Sequence, residues 1–144
     1  MTMKKIFVVA AFLCGFFAAS AQCGDDLMKQ ALKDMGTFQY IKDFDINVAG
    51  AEGVKFSVVL NSRTHYQLNL ANGEGNGEQI VVQLFDGEKM LGTNSASGKT
   101  YKAFQFVCSK TGAYKLHFFC PNGSKGCARA VLSLVKQYSE SEMP

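Results

Sequence analysis

The sequence predicts a mainly β protein: an antiparallel β-sandwich of about eight strands, jelly-roll-like, preceded by one amphipathic helix. After Gly36, apolar residues alternate at every second position along most of the chain, which is the spacing of half-buried strands. Polar, glycine-containing segments interrupt this alternation at short intervals, as turns do in small all-β domains. Only the segment just before Gly36 has helical spacing instead.

The N-terminal segment 1–21 has the order of a secretory signal peptide. Lys4 and Lys5 precede an apolar run over 6–17, and small residues follow up to Ala21, as in other secretory signals. The apolar run is too short for a permanent membrane helix. We therefore expect cleavage after Ala21 and an exported chain that is periplasmic, on the cell surface or secreted, without an integral membrane span.

Two alternatives concern this N-terminus. The segment would remain as an anchor if it were not cleaved, and Cys23 would carry a lipid if the chain were a lipoprotein. No second apolar segment of membrane length follows, and Gln22 is large for a lipoprotein cleavage site. Cleavage after Ala21 therefore remains the first expectation.

Charge and length exclude some functions. Of the 15 basic residues, Lys4 and Lys5 leave with the signal, so 13 remain against 12 acidic residues. A nearly neutral chain lacks the basic surface that displaces counterions from a phosphate backbone, so we expect no nucleic-acid partner. The mature length suits one domain. We divide it into an N-terminal helical segment, 22–38, a β-sandwich, 39–138, and a polar tail, 139–144.

One amphipathic helix is predicted from Asp25 to Met35. Apolar residues recur there at the spacing of one helix face: Leu27, Met28, Ala31, Leu32 and Met35. Asp25 and Asp26 favour its start at the positive end of the helix dipole, and Gly36 favours its end. We expect the apolar face to cover one side of the sheet.

The strands follow in segments separated by polar turns. They are predicted over 40–46, 54–60, 66–70, 80–85, 90–91, 101–108, 113–120 and 128–135. Asp86-Gly87 and residues 109–112 favour tight hairpins. The glycine-rich stretch 72–77 is predicted as a mobile loop, and residues 95–99 as another. No helix pattern or Lys-Ser/Thr pair follows the glycines, so they do not indicate a nucleotide site.

Four cysteines remain after signal cleavage, and we expect two disulfides rather than a zinc site. An even number in an exported chain indicates disulfides, and no histidine stands at zinc-finger spacing. Cys120 and Cys127 bracket the turn 121–126, which we interpret as joining facing strands, so we predict that they pair. Cys23 is then left to pair with Cys108, which would fix the helix to the sheet.

Several predicted strands share a pattern with a known family. The pattern lies in residues 56–60, 66–70, 82–87 and Leu91, and above all in Phe104-Gln105-Phe106 followed by Thr111-Gly112-Ala113-Tyr114-Lys115-Leu116. On these residues, the stretch 55–135 resembles the bacterial pre-peptidase C-terminal domain. The resemblance implies a jelly-roll β-sandwich that acts as a noncatalytic module of a secreted protein. The family often has an Asp-rich stretch where this chain has residues 77–79, Gly-Glu-Gln, so a metal role there does not carry over.

The mature N-terminus carries a second resemblance. With its Gln22–Asp26 start and a signal ending in Ala-Gln, the chain resembles small exported proteins of Bacteroidetes-type bacteria. Most of these proteins have no assigned activity, so this resemblance implies export and leaves the function open.

Residues suited to catalysis are few, and we expect no enzyme. Only His65, in a predicted turn, and His117, within a strand pattern, are available in the mature chain as bases. Asp43 and Asp45 project from one strand face and would suit a glycosidase or a calcium ion. Acids on an exposed strand face explain this pair fully. We predict no catalytic residue, no metal and no cofactor.

The sequence thus predicts a noncatalytic binding or accessory module of the bacterial cell envelope or secretome, whose partner is an envelope or extracellular protein or a glycan. Loops 72–78 and 95–99 are the predicted contact regions. The candidate ligand-binding residues are Tyr66, Tyr101, Asn72, Asn76 and Asn94. A small secreted hydrolase, a hydrolase inhibitor, and a calcium- or carbohydrate-binding module remain as alternatives. The chain has no Trp for sugar stacking.

Overall fold

The computed structural model describes residues 23–76 and 78–143. The predicted signal peptide and its cleavage site lie outside these residues. Two antiparallel four-stranded sheets pack face to face, and the helix α1, Asp25–Met35, lies on the outside of one of them. The predicted fold class, a mainly β antiparallel sandwich with one N-terminal helix, is confirmed. None of the described helices is long and apolar enough to cross a membrane.

Ten strands follow the helix within the described residues. They are β1 (Gln39–Val48), β2 (Val54–Leu60), β3 (Thr64–Asn72), β4 (Val81–Asp86), β5 (Lys89–Thr93), β6 (Ser95–Ala96), β7 (Lys99–Thr100), β8 (Ala103–Cys108), β9 (Gly112–Phe119) and β10 (Gly126–Gln137). β6 and β7 pair only with each other, and the other eight strands build the two sheets. A short 3₁₀ helix, Glu140–Glu142, lies in the predicted polar tail.

The strand order is that of a jelly roll. The first sheet, sheet A, has the order β1-β10-β3-β8, and the second, sheet B, has the order β2-β9-β4-β5. Apart from the β4–β5 hairpin, each of these strands is followed along the chain by one in the other sheet, as in a sandwich wound from two Greek keys. The β8–β9 connection, predicted as a hairpin, therefore crosses between the sheets. Alternating apolar residues indicate a strand but not its partner.

The disulfide joins Cys23 to Cys127, with their Cα atoms 6.0 Å apart. Both predicted pairings are therefore wrong, and Cys108 and Cys120 are buried free cysteines. The error comes from the turn after β9, which leads into the other sheet instead of returning beside β9. Cys120 consequently faces the core between the sheets. Cys127 precedes the core residue Ala128 and so points to the outer face of sheet A, where α1 lies.

Two apolar clusters hold the layers together. Between the sheets, the rings of Phe44, Phe56 and Phe118 meet, with centroids 5.3 Å apart for the first two and 5.8 Å apart for the last two. The smaller cluster lies under α1 and consists of Ala31, Ala71 and Val131, with Leu27, Met28 and Met35 packed against them. The helix is also held by Asn69, whose Nδ2 donates to the Ala31 carbonyl at 2.7 Å.

The topology gathers several connections at one end of the sandwich, which we call the disulfide end because Cys23 and Cys127 lie there. These connections are residues 49–53, 73–76 with 78–80, 94–102 and 120–125. The Asn122 amide donates to Glu78 Oε2 at 3.0 Å, and the Leu70 amide donates to the Lys102 carbonyl at 2.7 Å. Both predicted binding loops therefore lie at the same end.

Candidate functional site

A hairpin formed by residues 95–100 lies at the disulfide end between β5 and β8. Ser95 pairs with Thr100 and Ala96 with Lys99, while the turn residues Ser97 and Gly98 have φ values of 53° and 75°. Two successive positive φ values are the geometry of a type I′ turn, whose twist matches that of the flanking strands. A positive φ is uncommon for a residue other than glycine, such as Ser97. It persists where the surrounding structure enforces it.

Asn94 fixes the base of this hairpin to sheet B. Its side chain is 1% exposed. Its Oδ1 accepts the Val82 amide at 2.9 Å, and its Nδ2 donates to the carbonyls of Ile80 at 3.2 Å and Tyr101 at 3.0 Å. The Tyr101 amide donates to the Asn94 carbonyl at 2.7 Å and closes the base. Asn94 was predicted as a ligand contact, but its side-chain amide forms hydrogen bonds within the fold.

The side chains that the hairpin presents are polar and cationic. Ser97 and Lys99 are exposed, and Tyr101 follows the hairpin with 51% of its surface exposed. Lys102 stands beside it and is also exposed. A large exposed aromatic ring with a hydroxyl group is typical of a protein-binding anchor. Ligand contact by Tyr101 remains a prediction that its position permits.

The neighbouring loop, residues 73–76 and 78–80, is held by Asn76 and by Asn72, which was predicted within the loop but ends β3. The Asn76 side chain binds both backbone polar groups of Cys127. Its Nδ2 donates to the Cys127 carbonyl at 2.8 Å, and its Oδ1 accepts a hydrogen bond of 2.9 Å from the Cys127 amide. Asn72 Oδ1 accepts the Ile80 amide at 2.8 Å and closes the loop. These amides satisfy backbone groups that a strand partner would otherwise satisfy. The two asparagines, predicted to contact a ligand, are engaged in shaping the loop.

Tyr66, the remaining candidate contact, lies in the fold interior away from the disulfide end. Its side chain is 3% exposed. Its hydroxyl accepts the Asn61 amide at 2.9 Å, and its ring stacks on Phe106 with centroids 5.5 Å apart. The structure therefore brings together Tyr101, Asn94, Asn72 and Asn76, and separates Tyr66 from them.

The acidic pair considered for catalysis lies on the exposed edge strand β1. Asp45 is 3.4 Å from Arg129 Nε, and Asp43 Oδ1 accepts the Tyr40 hydroxyl at 2.7 Å. The hydrogen bond to Asp43 raises the pKa of Tyr40. Within 23–76 and 78–143, no group of three or more His, Cys, Asp or Glu side chains is close enough to hold a metal.

The two histidines lie in different sheets. His65 is the second residue of β3 in sheet A, and not in a turn as predicted, whereas His117 lies on β9 in sheet B. The ring of His117 is fixed because its Nε2 lies 2.9 Å from the Glu52 carbonyl. The structure therefore does not bring either histidine together with the Asp43 and Asp45 pair.

A buried polar pair lies at the opposite end of the sandwich. The Tyr114 hydroxyl donates to the Lys110 carbonyl, and the Cys108 Sγ lies 3.5 Å from the hydroxyl oxygen. The hydrogen bond with Cys108, followed by burial, raises the pKa of Tyr114 to about 12. The Tyr114 hydroxyl therefore remains a hydrogen-bond donor to the Lys110 carbonyl at alkaline pH values at which a free tyrosine ionises.

Sequence reasoning identified the two loops but missed how they are built. The hairpin was predicted as a loop without strands, although Ser97-Gly98 between short polar segments is a turn signal. Nothing local indicates that Asn94 binds β4 or that Asn76 binds β10, because both partners are distant in sequence.

Comparison with known proteins shows a shared fold. No protein-family model matches the sequence, and no curated protein matches it. Among solved structures, the chain is similar to Aeromonas hydrophila PliG, described as a periplasmic lysozyme inhibitor of g-type lysozyme. The superposition covers 67% of this chain and 88% of that chain, with a TM-score of 0.52 and 11% sequence identity. The resemblance to the pre-peptidase C-terminal domain stays a prediction.

Proposed function

We propose that this protein is an exported, noncatalytic inhibitor of a cell-wall hydrolase of the lysozyme class, and that it binds its target through the hairpin 95–100 and Tyr101. The observation that carries the proposal is this hairpin, whose base is anchored by Asn94 and whose Ser97 and Lys99 side chains are exposed. The similarity in fold to a lysozyme inhibitor supports the class of target.

The chemistry of the hairpin suits a glycosidase cleft. Glycosidases act with Asp and Glu carboxylates that flank the scissile bond. Ser97 and Thr100 offer hydroxyl groups, and Lys99 offers an ammonium group, all of which donate hydrogen bonds to carboxylates. Tyr101 at the base of the hairpin is placed to pack against the rim of the cleft.

The fixed conformation lowers the cost of binding. Ordering a flexible side chain at an interface costs about 0.5–1.5 kcal/mol, and ordering a loop costs more. In this hairpin the buried hydrogen bonds of Asn94 hold the base before any partner arrives. The proposed interface therefore resembles rigid inhibitor loops, which bind with little rearrangement.

Export is the second support. The predicted signal peptide directs the chain out of the cytoplasm, and disulfides such as Cys23–Cys127 persist in oxidising compartments. An inhibitor in the periplasm or at the cell surface would meet hydrolases that attack the cell wall. A noncatalytic role also agrees with what the pre-peptidase resemblance implies.

An inhibition assay with matched variants tests the proposal. Residues 22–144 are titrated against a g-type lysozyme and lysozymes of other classes while the clearing of peptidoglycan is followed. We expect the wild type and a Lys110→Ala control to inhibit at least one lysozyme. The double variant Lys99→Ala/Tyr101→Ala should inhibit at least about 10-fold less, which corresponds to about 1.4 kcal/mol.

The assay has two contradicting outcomes. If the folded wild type inhibits no lysozyme, the assignment of target is wrong. If the double variant inhibits as well as the wild type, the hairpin is not the contact surface. Circular dichroism of both variants shows whether the fold is intact in each case.

A further inference from the structure

The outer face of sheet B forms a second surface. In β2, β9 and β4, alternate residues such as Val58, Leu116 and Leu84 belong to the core, so the residues between them point outward. Helix α1 contacts β3 and β10 of sheet A. Helix α1 therefore does not cover this face of sheet B.

Strand register groups a particular set of side chains on this face. Lys55 of β2 lies opposite His117 of β9, and Lys115 of β9 lies opposite Phe85 of β4. These four residues line a depression of about 360 Å³, with Gly87 and Glu88 of the β4–β5 turn also in its lining. The set combines cations, an imidazole, an aromatic ring and one carboxylate. We call this depression the sheet B depression.

His117 is held in place by the turn before β2. Its Nε2 lies 2.9 Å from the Glu52 carbonyl, and since a carbonyl only accepts, Nε2 carries the proton. Gly53 has φ of +66°, and a Cβ there would stand 2.2 Å from the Phe118 carbonyl and 3.1 Å from His117 Nε2. Only glycine permits this close approach. The imidazole is thus oriented in advance, with Nδ1 as its remaining hydrogen-bonding atom.

Both lysines of the depression are available for a ligand. Lys55 and Lys115 are exposed, and the ion pairs among the described residues, Arg129–Asp45 and Lys136–Glu142, involve neither of them. The Phe85 ring beside Lys115 is half-buried. Two ammonium groups that form no ion pair among the described residues, next to an aromatic ring, suit an anionic ligand with an apolar ring face.

We propose that the sheet B depression binds a carboxylate-bearing sugar unit of an anionic glycan. Lys55 and Lys115 bind the carboxylate, and the apolar face of the sugar ring packs on Phe85. Glu88 accepts hydrogen bonds from ring hydroxyl groups, and His117 Nδ1 is the fourth polar contact.

The charge pattern favours a glycan over a lipid surface. Recognition of anionic lipid headgroups takes clusters of about 4–8 basic residues. The sheet B depression has two lysines and also includes Glu88, which would repel a uniformly anionic surface. A glycan offers both a carboxylate for the lysines and hydroxyl groups for the glutamate.

This site goes beyond the proposed inhibition and uses none of the hairpin residues. If both hold, glycan binding would concentrate the inhibitor on the polymer that the hydrolase attacks, since a second contact raises the effective concentration. Either proposal can be refuted without the other, because glycan binding is measured without any lysozyme and inhibition is measured on the hairpin variants.

The test is an NMR titration of ¹⁵N-labelled residues 22–144 with tetragalacturonate, which carries a carboxylate on every ring, and with neutral maltotetraose. We expect tetragalacturonate to shift amide signals around Lys55, Phe85, Lys115 and His117, and to bind at least about 10-fold more tightly than maltotetraose. The affinity should fall as NaCl rises from about 0.05 to 0.5 M, because exposed charges are screened.

Matched variants complete the test. Lys55→Ala/Lys115→Ala should lose at least about 10-fold in affinity for tetragalacturonate, whereas Lys110→Ala on the β8–β9 turn should bind like the wild type. Equal binding of both oligosaccharides, shifts elsewhere on the protein, or unchanged affinity in the double variant would each overturn the proposal. So would binding to phosphatidylglycerol vesicles without binding to tetragalacturonate, which would assign the lysines to lipid.

Discussion

Gly73 packs against the disulfide that joins Cys23 to Cys127. A Cβ at Gly73 would stand 2.6 Å from Cys23 Sγ and 2.9 Å from Cys127 Sγ, and the Gly73 amide donates to the Cys127 carbonyl at 3.0 Å. The segment before α1, the start of the loop at Gly73 and the start of β10 therefore form one packed unit. This unit borders the proposed binding hairpin.

Adding a methyl group to Gly73 should destabilise the protein. Gly73→Ala places Cβ inside the contact distance of two sulfur atoms that the disulfide bond joins, so we expect the free energy of unfolding to fall by about 1–3 kcal/mol. Gly112→Ala is the control, since a Cβ there meets nothing within 4 Å, and it should change the stability by less than about 0.5 kcal/mol. Urea unfolding measures both, and equal stability of the two variants would contradict the packing.

The disulfide should contribute strongly to stability because it closes a long loop. Cys23 and Cys127 are 104 residues apart, and the chain-entropy estimate for such a loop is about 4–5 kcal/mol. Cys23→Ser/Cys127→Ser should lower the free energy of unfolding by about that amount. When the unfolded wild type is alkylated without reduction, peptide mapping should find Cys23 linked to Cys127. Cys108 and Cys120 should carry the alkyl label. A peptide linking Cys120 to Cys127 would contradict the structure.

Substitutions at Asn94 and Tyr101 should have separable effects on stability and on inhibition. Asn94→Ala leaves buried backbone groups at Val82, Ile80 and Tyr101 without the side chain that satisfies them. We expect a loss of about 2–4 kcal/mol in stability, faster amide hydrogen exchange in the hairpin, and weaker inhibition. Tyr101→Ala should weaken inhibition while stability stays within about 0.5 kcal/mol. The pair of results would be reversed if Tyr101 supported the fold and Asn94 the contact.

Stability should fall at strongly alkaline pH. The pKa of Tyr114 is raised from 10.0 to about 12 in the folded protein, first by its hydrogen bond with Cys108. A raised pKa means that the stabilisation is fully present below pH 10 and is lost as the pH rises toward 12. Tyr114→Phe cannot ionise, so its unfolding midpoint should fall less between these pH values. Identical pH profiles would show that Tyr114 does not contribute.

The helix and most strands could be predicted because their signals are local. The spacing of apolar residues predicted α1 over 25–35, as found, and alternation located the sheet strands. Disulfide pairing could not be predicted this way. Cys120 and Cys127 bracket a short turn whether that turn joins neighbours or crosses between sheets, and only the crossing puts their side chains on different faces.

The candidate site was predictable in part for the same reason. Loop composition located 72–78 and 95–99, but the type of a polar residue does not reveal whether it is exposed. Tyr66 alternates with Leu68 and Leu70, and this pattern already indicated the buried face on which it lies. Asn94 gave no such indication, because two of its three side-chain partners, Val82 and Ile80, are on or beside another strand.

The steady-state kinetics of an inhibited lysozyme test the central claim most directly. A soluble chitin oligomer serves as substrate for a lysozyme that the mature chain inhibits, with and without the protein. If the hairpin occupies the active-site cleft, the protein competes with substrate, so the apparent KM should rise linearly with the concentration of the protein while kcat stays unchanged. An unchanged apparent KM with a lowered kcat would contradict binding in the cleft.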